Sequence, residues 1–124
     1  MSFLVIAGRV KPGRRQGTKL GFPTINLAVP RSIKKKDWGV YFSLIKIEAK
    51  VYPALTHLGP AKTFFLPQPR CESYLLTLKK DLYRQKVKKI LLFKFREVEK
   101  FSHFSALKKQ IRRDVKAAHK YFGL

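Results

Sequence analysis

The sequence predicts a mainly β protein, a small closed antiparallel barrel of six strands with Greek-key-like connections and one C-terminal α-helix. Two patterns support this. Runs rich in β-branched and aromatic residues alternate with turn-forming segments over most of the chain. Near the C-terminus the spacing of apolar residues changes to three or four. The 124 residues, 45% of them hydrophobic, suffice for one domain covering 1–124. Closure of the sheet would leave no bare edge.

Strand-like runs are bounded by turn signals, and the clearest are residues 3–10, 39–48, 49–58, 72–80 and 87–95. Residues 39–48 and 49–58 are expected to pair as a hairpin. Residues 72–80 and 87–95 are expected to form a second hairpin, connected by the turn DLYRQK. Residues 59–70 contain three prolines and are predicted to be a loop. In the last run, four apolar residues are expected to share one face that only Lys89 interrupts: Val87, Leu91, Phe93 and Phe95.

The C-terminal segment is predicted to be an amphipathic helix. Its apolar stripe consists of Phe104, Leu107, Ile111, Val115, Ala118 and Phe122. Ser102 or Ser105 can cap the start, and Gly123 stands where a left-handed residue would end the helix. On this helix, Asp114 is expected to form an ion pair with the neighbouring Arg112 or Arg113.

The charge of the chain is far from balanced. Twenty-eight Lys and Arg against seven acids give a net charge of +21, which attracts polyanions such as nucleic acid, nucleotides or an anionic membrane surface. No apolar run approaches the ~20 residues that span a bilayer, and the start resembles a strand rather than a signal peptide. A single cysteine, Cys71, excludes an intramolecular disulfide and a cysteine-based zinc site. We therefore expect a cytoplasmic monomer without membrane association. Cys71 is expected to be buried, and the widely spaced His57, His103 and His119 are expected to bind no metal.

Residues 8–27, GRVKPGRRQGTKLGFPTINL, combine spaced glycines with basic residues. Such spacing lets backbone N–H groups converge on an anion, although basic glycine-rich loops also occur as plain turns. Pro23 favours an extended chain, so Thr24 and Asn26 would point to one side, ~7 Å apart at Cα. Their oxygens could share a small cation with phosphate oxygens, or they could simply close a turn.

The same stretch resembles the signature of the riboflavin kinase family, in which Gly-x-Val and spaced glycines precede Leu-Gly-Phe-Pro-Thr-x-Asn. Other segments resemble the family in order: GVY at 39–41, CESYLL at 71–76, DLY at 81–83, KFREVEKF at 94–101 and LKKQIRRDVKAA at 107–118. The resemblance extends over about residues 8–118 and combines PTIN with Glu72, Tyr83 and Arg96. It is therefore specific and covers nearly the whole chain.

The resemblance implies transfer of the γ-phosphate of ATP to the ribityl 5′-hydroxyl of riboflavin, which gives FMN. Glu72 would be the base, and it is also a lone carboxylate at a strand start in a chain with few acids; its alternative role is to offset Arg70. The resemblance places the other roles as follows: a phosphate loop of Gly13, Gly17, Lys19 and Gly21; nucleotide contacts at Leu75, Thr77 and Tyr83; Mg²⁺, or alternatively Zn²⁺ or Mn²⁺, at Thr24 and Asn26; and the flavin at Arg96.

The chain departs from the family pattern at three positions. Thr77 replaces an Asp, Arg84 replaces a Gly after the turn tyrosine, and Lys62 replaces a Pro. These changes bear on nucleotide affinity and loop closure more than on the chemistry. The adenylyltransferase half of the bacterial two-domain form is not in this sequence, so we expect the product to be FMN and not FAD.

Two other functions are consistent with the sequence. A basic barrel with aromatic residues could bind single-stranded nucleic acid, although the basic pairs are spread along the chain and favour nonspecific, salt-dependent binding. A degenerate kinase could instead bind flavin in a regulatory role without turnover. FMN formation, and its sensitivity to Glu72, separates the kinase from both alternatives.

Overall fold

The computed structural model describes residues 3–11, 24–60, 69–78 and 82–124. The elements are β1 (Leu4–Arg9), β2 (Thr24–Leu27), a 3₁₀ turn (Lys35–Asp37), β3 (Gly39–Ile47), β4 (Lys50–Gly59), β5 (Arg70–Leu75), β6 (Lys86–Arg96) and α1 (Phe104–Phe122). The prediction of a mainly β fold with one C-terminal helix is therefore confirmed. Within these ranges, no helix is both long and apolar enough to cross a bilayer.

All six strands form one antiparallel sheet in the order β1-β6-β3-β4-β5-β2. The sheet curls so that its end strands approach each other, and the Lys11 amide donates to the Asn26 carbonyl at 2.9 Å. Among the described residues, this isolated β-bridge is the backbone pairing that connects the two ends of the sheet. The observed architecture is thus a curled half-barrel, and continuous closure is not shown.

The two faces of the sheet bury different cores. The inner face encloses aliphatic residues from all six strands, among them Ile6, Ile25, Ile45, Leu58 and Leu91. The outer face packs against α1, where Leu107 and Ile111 cover Phe42, Leu55 and Tyr74. Alternation along each strand therefore sends every second side chain under the helix or its flanks.

The predicted apolar stripe of β6 is wrong for its second half. Val87 and Leu91 lie in the inner core, but Phe93 pairs with Phe42 and stacks on the outer face. The register of β3 with β6 shifts between Phe42 and Ser43 and again between Val40 and Tyr41. The extra residue at the first shift reverses the facing of the residues between the two shifts, which explains why Phe93 faces outward.

The helix follows its predicted stripe, with Leu107, Ile111 and Ala118 buried, but Phe104 is 46% exposed. The predicted serine cap is wrong, because His103 is the N-cap and makes no side-chain cap hydrogen bond. Gly123 ends the helix with φ 72°, as predicted. The ion pair expected within the helix is also wrong, since Asp114 is buried against the sheet and contacts Arg96 there.

The boundaries of β1, β3, β4 and β6 agree with prediction to within a few residues. The predicted hairpin of 72–80 with 87–95 is wrong, because β5 pairs with β4 and β2 whereas β6 pairs with β1 and β3. The hairpin of β3 and β4 is confirmed, with Glu48 at φ 55° in its turn. Strand β5 starts at Arg70 and ends at Leu75, shorter than the predicted run to residue 80. Pro67 and the rest of residues 61–68, within the predicted loop, lie outside the described residues.

Candidate functional site

Four of the strand pairings place predicted site residues in a single row on the outer face of the sheet. Asn26 is opposite Glu72, which is opposite His57; Val40 comes next, and Arg96 completes the row. Adjacent strands lie ~4.8 Å apart, so Asn26 and Glu72 are immediate neighbours while Arg96 is three strands, or about 14 Å, from Glu72. The structure therefore places the predicted base, one predicted metal ligand and the arginine predicted to contact the flavin on one surface.

Glu72 is a buried carboxylate, only 4% exposed. The Tyr74 hydroxyl, two residues along β5 on the same face, donates to Glu72 Oε1 at 3.0 Å. Burial, followed by the neighbouring negative charge of Glu72, raises the pKa of Tyr74 well above its ordinary value. Tyr74 therefore remains a protonated donor, and it fixes the orientation of the Glu72 carboxylate.

Thr24 and Asn26 occupy the same side of β2, as the sequence predicted. The Asn26 Nδ2 donates to Thr24 Oγ1 at 3.4 Å, with Asn26 buried and Thr24 half-buried. Asn26 also accepts the Lys11 amide at its main-chain carbonyl, which anchors the strand. The two polar side chains are thus held together beside the Glu72 carboxylate.

A metal at this position would depend on few protein ligands. Among the described residues, no group of three or more His, Cys, Asp and Glu side chains is placed to hold an ion. A hydroxyl, a side-chain amide oxygen and a nearby carboxylate are hard oxygen donors, which suit Mg²⁺ when substrate phosphate and water complete its shell. The donor set therefore fits the divalent cation implied by the sequence.

Arg96 is held in place by the helix. Its Nε and Nη2 donate to the two oxygens of Asp114 at 3.0 and 2.7 Å, and Nη1 donates to the Glu97 carbonyl at 3.0 Å. Gln110 donates a further hydrogen bond to Asp114 at 2.9 Å. The arginine expected at the flavin is thus a rigid part of the joint between β6 and α1.

His57 also lies in the row, although the sequence alone indicates no role for it. It is 3% exposed, and its Nε2 is 2.7 Å from the Pro60 carbonyl oxygen. An isolated histidine carries no motif, so its place beside Glu72 follows only from the register of β4 with β5. Alternation along the predicted strand could have indicated its face but not its neighbour.

The predicted nucleotide contacts are dispersed. The Leu75 side chain lies in the inner core, on the opposite face from Glu72. Thr77 is exposed after β5, and Tyr83 is 45% exposed before β6. Their roles remain predictions. The phosphate-loop residues Gly13, Gly17, Lys19 and Gly21, like Lys62, lie outside the described residues.

Lys89 contacts the two strands that carry Asn26 and Glu72, from the opposite face of the sheet. It is fully buried in the inner core, and its ammonium donates to the carbonyls of Ile25 at 2.6 Å and Cys71 at 3.1 Å. These residues immediately precede Asn26 and Glu72 in the chain. Burial lowers the pKa of Lys89 and, as the largest influence, raises that of the inward-facing Cys71. The residue that interrupted the predicted stripe therefore ties β6 to both site strands.

Comparisons with known proteins match this chain over nearly its whole length. The family model described as Riboflavin kinase matches residues 2–122. The "RNA-binding riboflavin kinase RibR" of Bacillus subtilis strain 168 is 33% identical over 97% of this chain and 52% of that protein. The bifunctional riboflavin kinase/FMN adenylyltransferase of Escherichia coli strain K12 is 32% identical over 96% of this chain and 38% of its own. The chain thus spans about half or less of these relatives.

Two solved structures share the fold. A structure titled as a macrolide-efflux protein from Streptococcus pneumoniae matches with a TM-score of 0.78 and 26% identity, covering 94% of this chain and 38% of that one. A riboflavin kinase structure from Trypanosoma brucei matches with a TM-score of 0.64 and 23% identity, covering 99% of this chain and 82% of that one. The curled sheet with its C-terminal helix is therefore an established arrangement.

Proposed function

Because the chain belongs to the riboflavin kinase family, we propose that it transfers the terminal phosphate of ATP to the 5′-hydroxyl of riboflavin, with a divalent cation, and so forms FMN. The observation that best supports this activity is the pairing of buried Glu72 with Asn26, next to Thr24. A carboxylate beside hard oxygen donors is what phosphoryl transfer to an alcohol requires. The adenylyltransferase named for the longer relatives is not part of this proposal.

Glu72 would act as the general base. Its carboxylate accepts the proton of the ribityl hydroxyl, the freed oxygen bonds to the γ-phosphorus, and the bond from that phosphorus to the bridging oxygen of ADP breaks. Tyr74 orients the carboxylate through the hydrogen bond to Oε1. The low exposure of Glu72 keeps bulk water away from the base and favours transfer to the alcohol over hydrolysis.

Thr24 and Asn26 would hold the divalent cation, Mg²⁺ first and Zn²⁺ or Mn²⁺ as alternatives. When bound, that ion neutralises phosphate charge. The glycine-rich segment enters β2 directly at Thr24, so a loop that binds phosphate through Gly13, Gly17, Lys19 and Gly21 would deliver the triphosphate to these ligands. Leu75, Thr77 and Tyr83 are proposed to lie near the rest of the nucleotide.

Arg96 would contact the flavin. Its guanidinium plane is fixed by Asp114, and a fixed plane can stack on an aromatic ring system or donate hydrogen bonds to it without losing further side-chain freedom. Its position about 14 Å along the row from Glu72 leaves room for a ribityl chain between ring and base.

The test is FMN formation by the purified chain with riboflavin, ATP and Mg²⁺, measured by chromatography with flavin fluorescence. Glu72→Gln should lower turnover by about 10²–10⁴-fold while circular dichroism remains unchanged. The matched control is Glu97→Gln, which removes an equally charged but exposed carboxylate that pairs with Lys94. Thr24→Ala should raise the Mg²⁺ concentration for half-maximal rate, whereas Thr24→Ser should retain it.

Three results would contradict parts of the proposal. Full turnover in Glu72→Gln removes the base assignment, and an unchanged Mg²⁺ dependence in Thr24→Ala removes the metal assignment. Saturable FMN binding without any turnover would show a flavin-binding protein rather than a kinase. The RNA binding named for the Bacillus subtilis relative belongs to a protein about twice as long, so the name alone does not place that activity in this region.

A further inference from the structure

The outer face of the sheet carries a second surface, on strands β1, β6 and β3. Its basic half consists of four exposed cations, Arg9, Lys46, Lys86 and Lys88, which we call the basic patch. They surround a depression of about 330 Å³ with Ala7, Gly8 and Val87 in its lining. In the described ranges, Glu48 is the acid that lines this depression. Asn26, Glu72 and His57 of the row lie toward the other end of the sheet, on β2, β5 and β4.

The basic patch is built from like charges directly opposite each other. Lys46 pairs with Lys88, and Arg9 pairs with Lys86. Like charges at directly opposed positions destabilise a sheet, and one glutamate cannot neutralise four cations. An anionic ligand with several charges would remove this repulsion. The register therefore indicates a polyanion rather than a single carboxylate.

The same face continues along β6 into an aromatic platform. After the register shift, Phe93 and Phe95 project to the outer face and pack around Phe42, with ring centroids 6.0 and 4.9 Å away. Tyr121 of α1 stacks on Phe93 at 6.2 Å with 16° between the rings. Phe93 and Tyr121 remain 53% and 49% exposed. We call Phe93, Phe95 and Tyr121 the aromatic platform.

The two features are continuous and close. Lys46 and Phe42 are four residues apart on β3, so Lys88 and Phe93 opposite them lie about 13 Å apart along the face. The half-buried apolar side chains of Ile90 and Leu44 lie between the basic patch and the aromatic platform. A few consecutive nucleotides would extend from one feature to the other.

We propose that this face binds single-stranded nucleic acid, with phosphates on the basic patch and unpaired bases on the aromatic platform. Single-stranded nucleic acid fits better than the alternatives because it would use both the basic patch and the aromatic platform. A groove lined with positive charge follows the phosphate backbone, and exposed aromatic rings stack on bases regardless of sequence. The overall charge of +21 adds long-range attraction for the same ligand. The basic patch lies apart from Glu72, Thr24 and Asn26, whereas the platform residue Phe95 directly precedes Arg96 on β6. Nucleic-acid binding is therefore measured separately from FMN formation.

The test uses a fluorescein-labelled oligouridylate of about 12 nucleotides, a length within the usual range for small β-barrels, titrated at several salt concentrations. The first variant is Lys46→Gln/Lys86→Gln/Lys88→Gln. Its matched control, Lys109→Gln/Arg112→Gln/Lys116→Gln, removes the same charge from the exposed side of α1. The first should make the slope of log K against log salt shallower by about 2, as loss of three phosphate contacts requires, and the control should leave the slope unchanged.

The platform is tested separately with Phe93→Leu, which keeps an apolar side chain but removes the ring. Affinity should fall at least about fivefold without a change in salt slope. Phe104→Leu, an equally exposed phenylalanine at the start of α1, should have no effect. Folding of each variant is checked by its Tm, which should rise in the β-strand triple variant because opposed like charges are removed.

Several results would overturn the proposal. These are no binding of the oligouridylate, equal loss of slope in the two triple variants, or tighter binding to a duplex of the same length. Binding to phosphatidylserine vesicles that needs the basic patch, with oligouridylate binding that does not, would assign the face to membranes instead.

Discussion

Breaking the buried contact between Arg96 and Asp114 should destabilise the fold more than breaking the exposed pair of Lys94 and Glu97. Asp114→Ala removes two hydrogen bonds from Arg96 and one from Gln110. Loss of one partner of a buried pair costs about 3–5 kcal/mol. Arg96 keeps its bond to the Glu97 carbonyl and its side chain is 18% exposed, so it regains some hydration. We therefore expect the lower end, about 3 kcal/mol.

The loss should appear as a fall in Tm of about 10 °C for a chain of this length. It is measured by urea titration followed by far-UV circular dichroism, and by thermal melting. Glu97→Gln is the control, because Lys94–Glu97 is also an acid paired with a cation of β6, at 3.1 Å, but the Glu97 side chain is 76% exposed. That variant should lose at most about 1 kcal/mol, and less at high salt.

Asp114→Asn provides a second measurement if the alanine variant unfolds. It keeps the shape and one acceptor but loses the charge, so its loss should be intermediate. The reasoning is refuted if Asp114→Ala loses no more free energy of unfolding than Glu97→Gln. A loss in Asp114→Asn as large as in Asp114→Ala would show that charge alone, and not the bidentate geometry, stabilises the contact.

Two further predictions concern backbone strain and buried charge. Arg84 has φ 71°, in the region that favours glycine, so the free energy of unfolding of Arg84→Gly should be about 1 kcal/mol higher than that of Arg84→Ala. Both variants lose the guanidinium that lies 5.2 Å from the Tyr83 ring, so the comparison isolates the backbone. Equal stabilities of the two variants would contradict the strain. Lys89 has a pKa lowered from 10.5 by burial, so between its folded-state pKa and 10.5 the unfolded chain holds a proton that the folded chain lacks, and the free energy of unfolding rises with pH there. Subtracting the pH profile of Lys89→Met isolates this rise, and parallel profiles would refute it.

The fold was largely predictable because its signals are local. The hairpin of β3 and β4 follows from propensity and alternation, and α1 follows from its stripe and from Gly123. The facing of Phe93 was not predictable, because nothing in the sequence marks where one strand carries an extra residue. The partner of Asp114 was also missed, since its neighbours along the helix are basic but the helix turns the carboxylate to the sheet.

The site was predictable in its residues more than in its surroundings. Thr24 and Asn26 share a side because alternation requires it, and Cys71 is buried as expected. The placement of His57 beside Glu72 depends on the register between β4 and β5, which distant parts of the chain decide together. Lys89 was read as an interruption of an apolar stripe, because a sequence does not show that a buried ammonium has two carbonyls within reach.

The hydrogen bond from the Lys11 amide to the Asn26 carbonyl joins the two ends of the sheet at a predicted site residue. The residue expected to hold the cation through its side chain also fastens one rim of the sheet to the other through its backbone. Binding of a cation by the Asn26 side chain and pairing of the two sheet ends by its backbone would therefore involve the same short segment. If Asn26 holds the cation, binding at the site and the spacing between the two ends of the sheet would depend on the same residue.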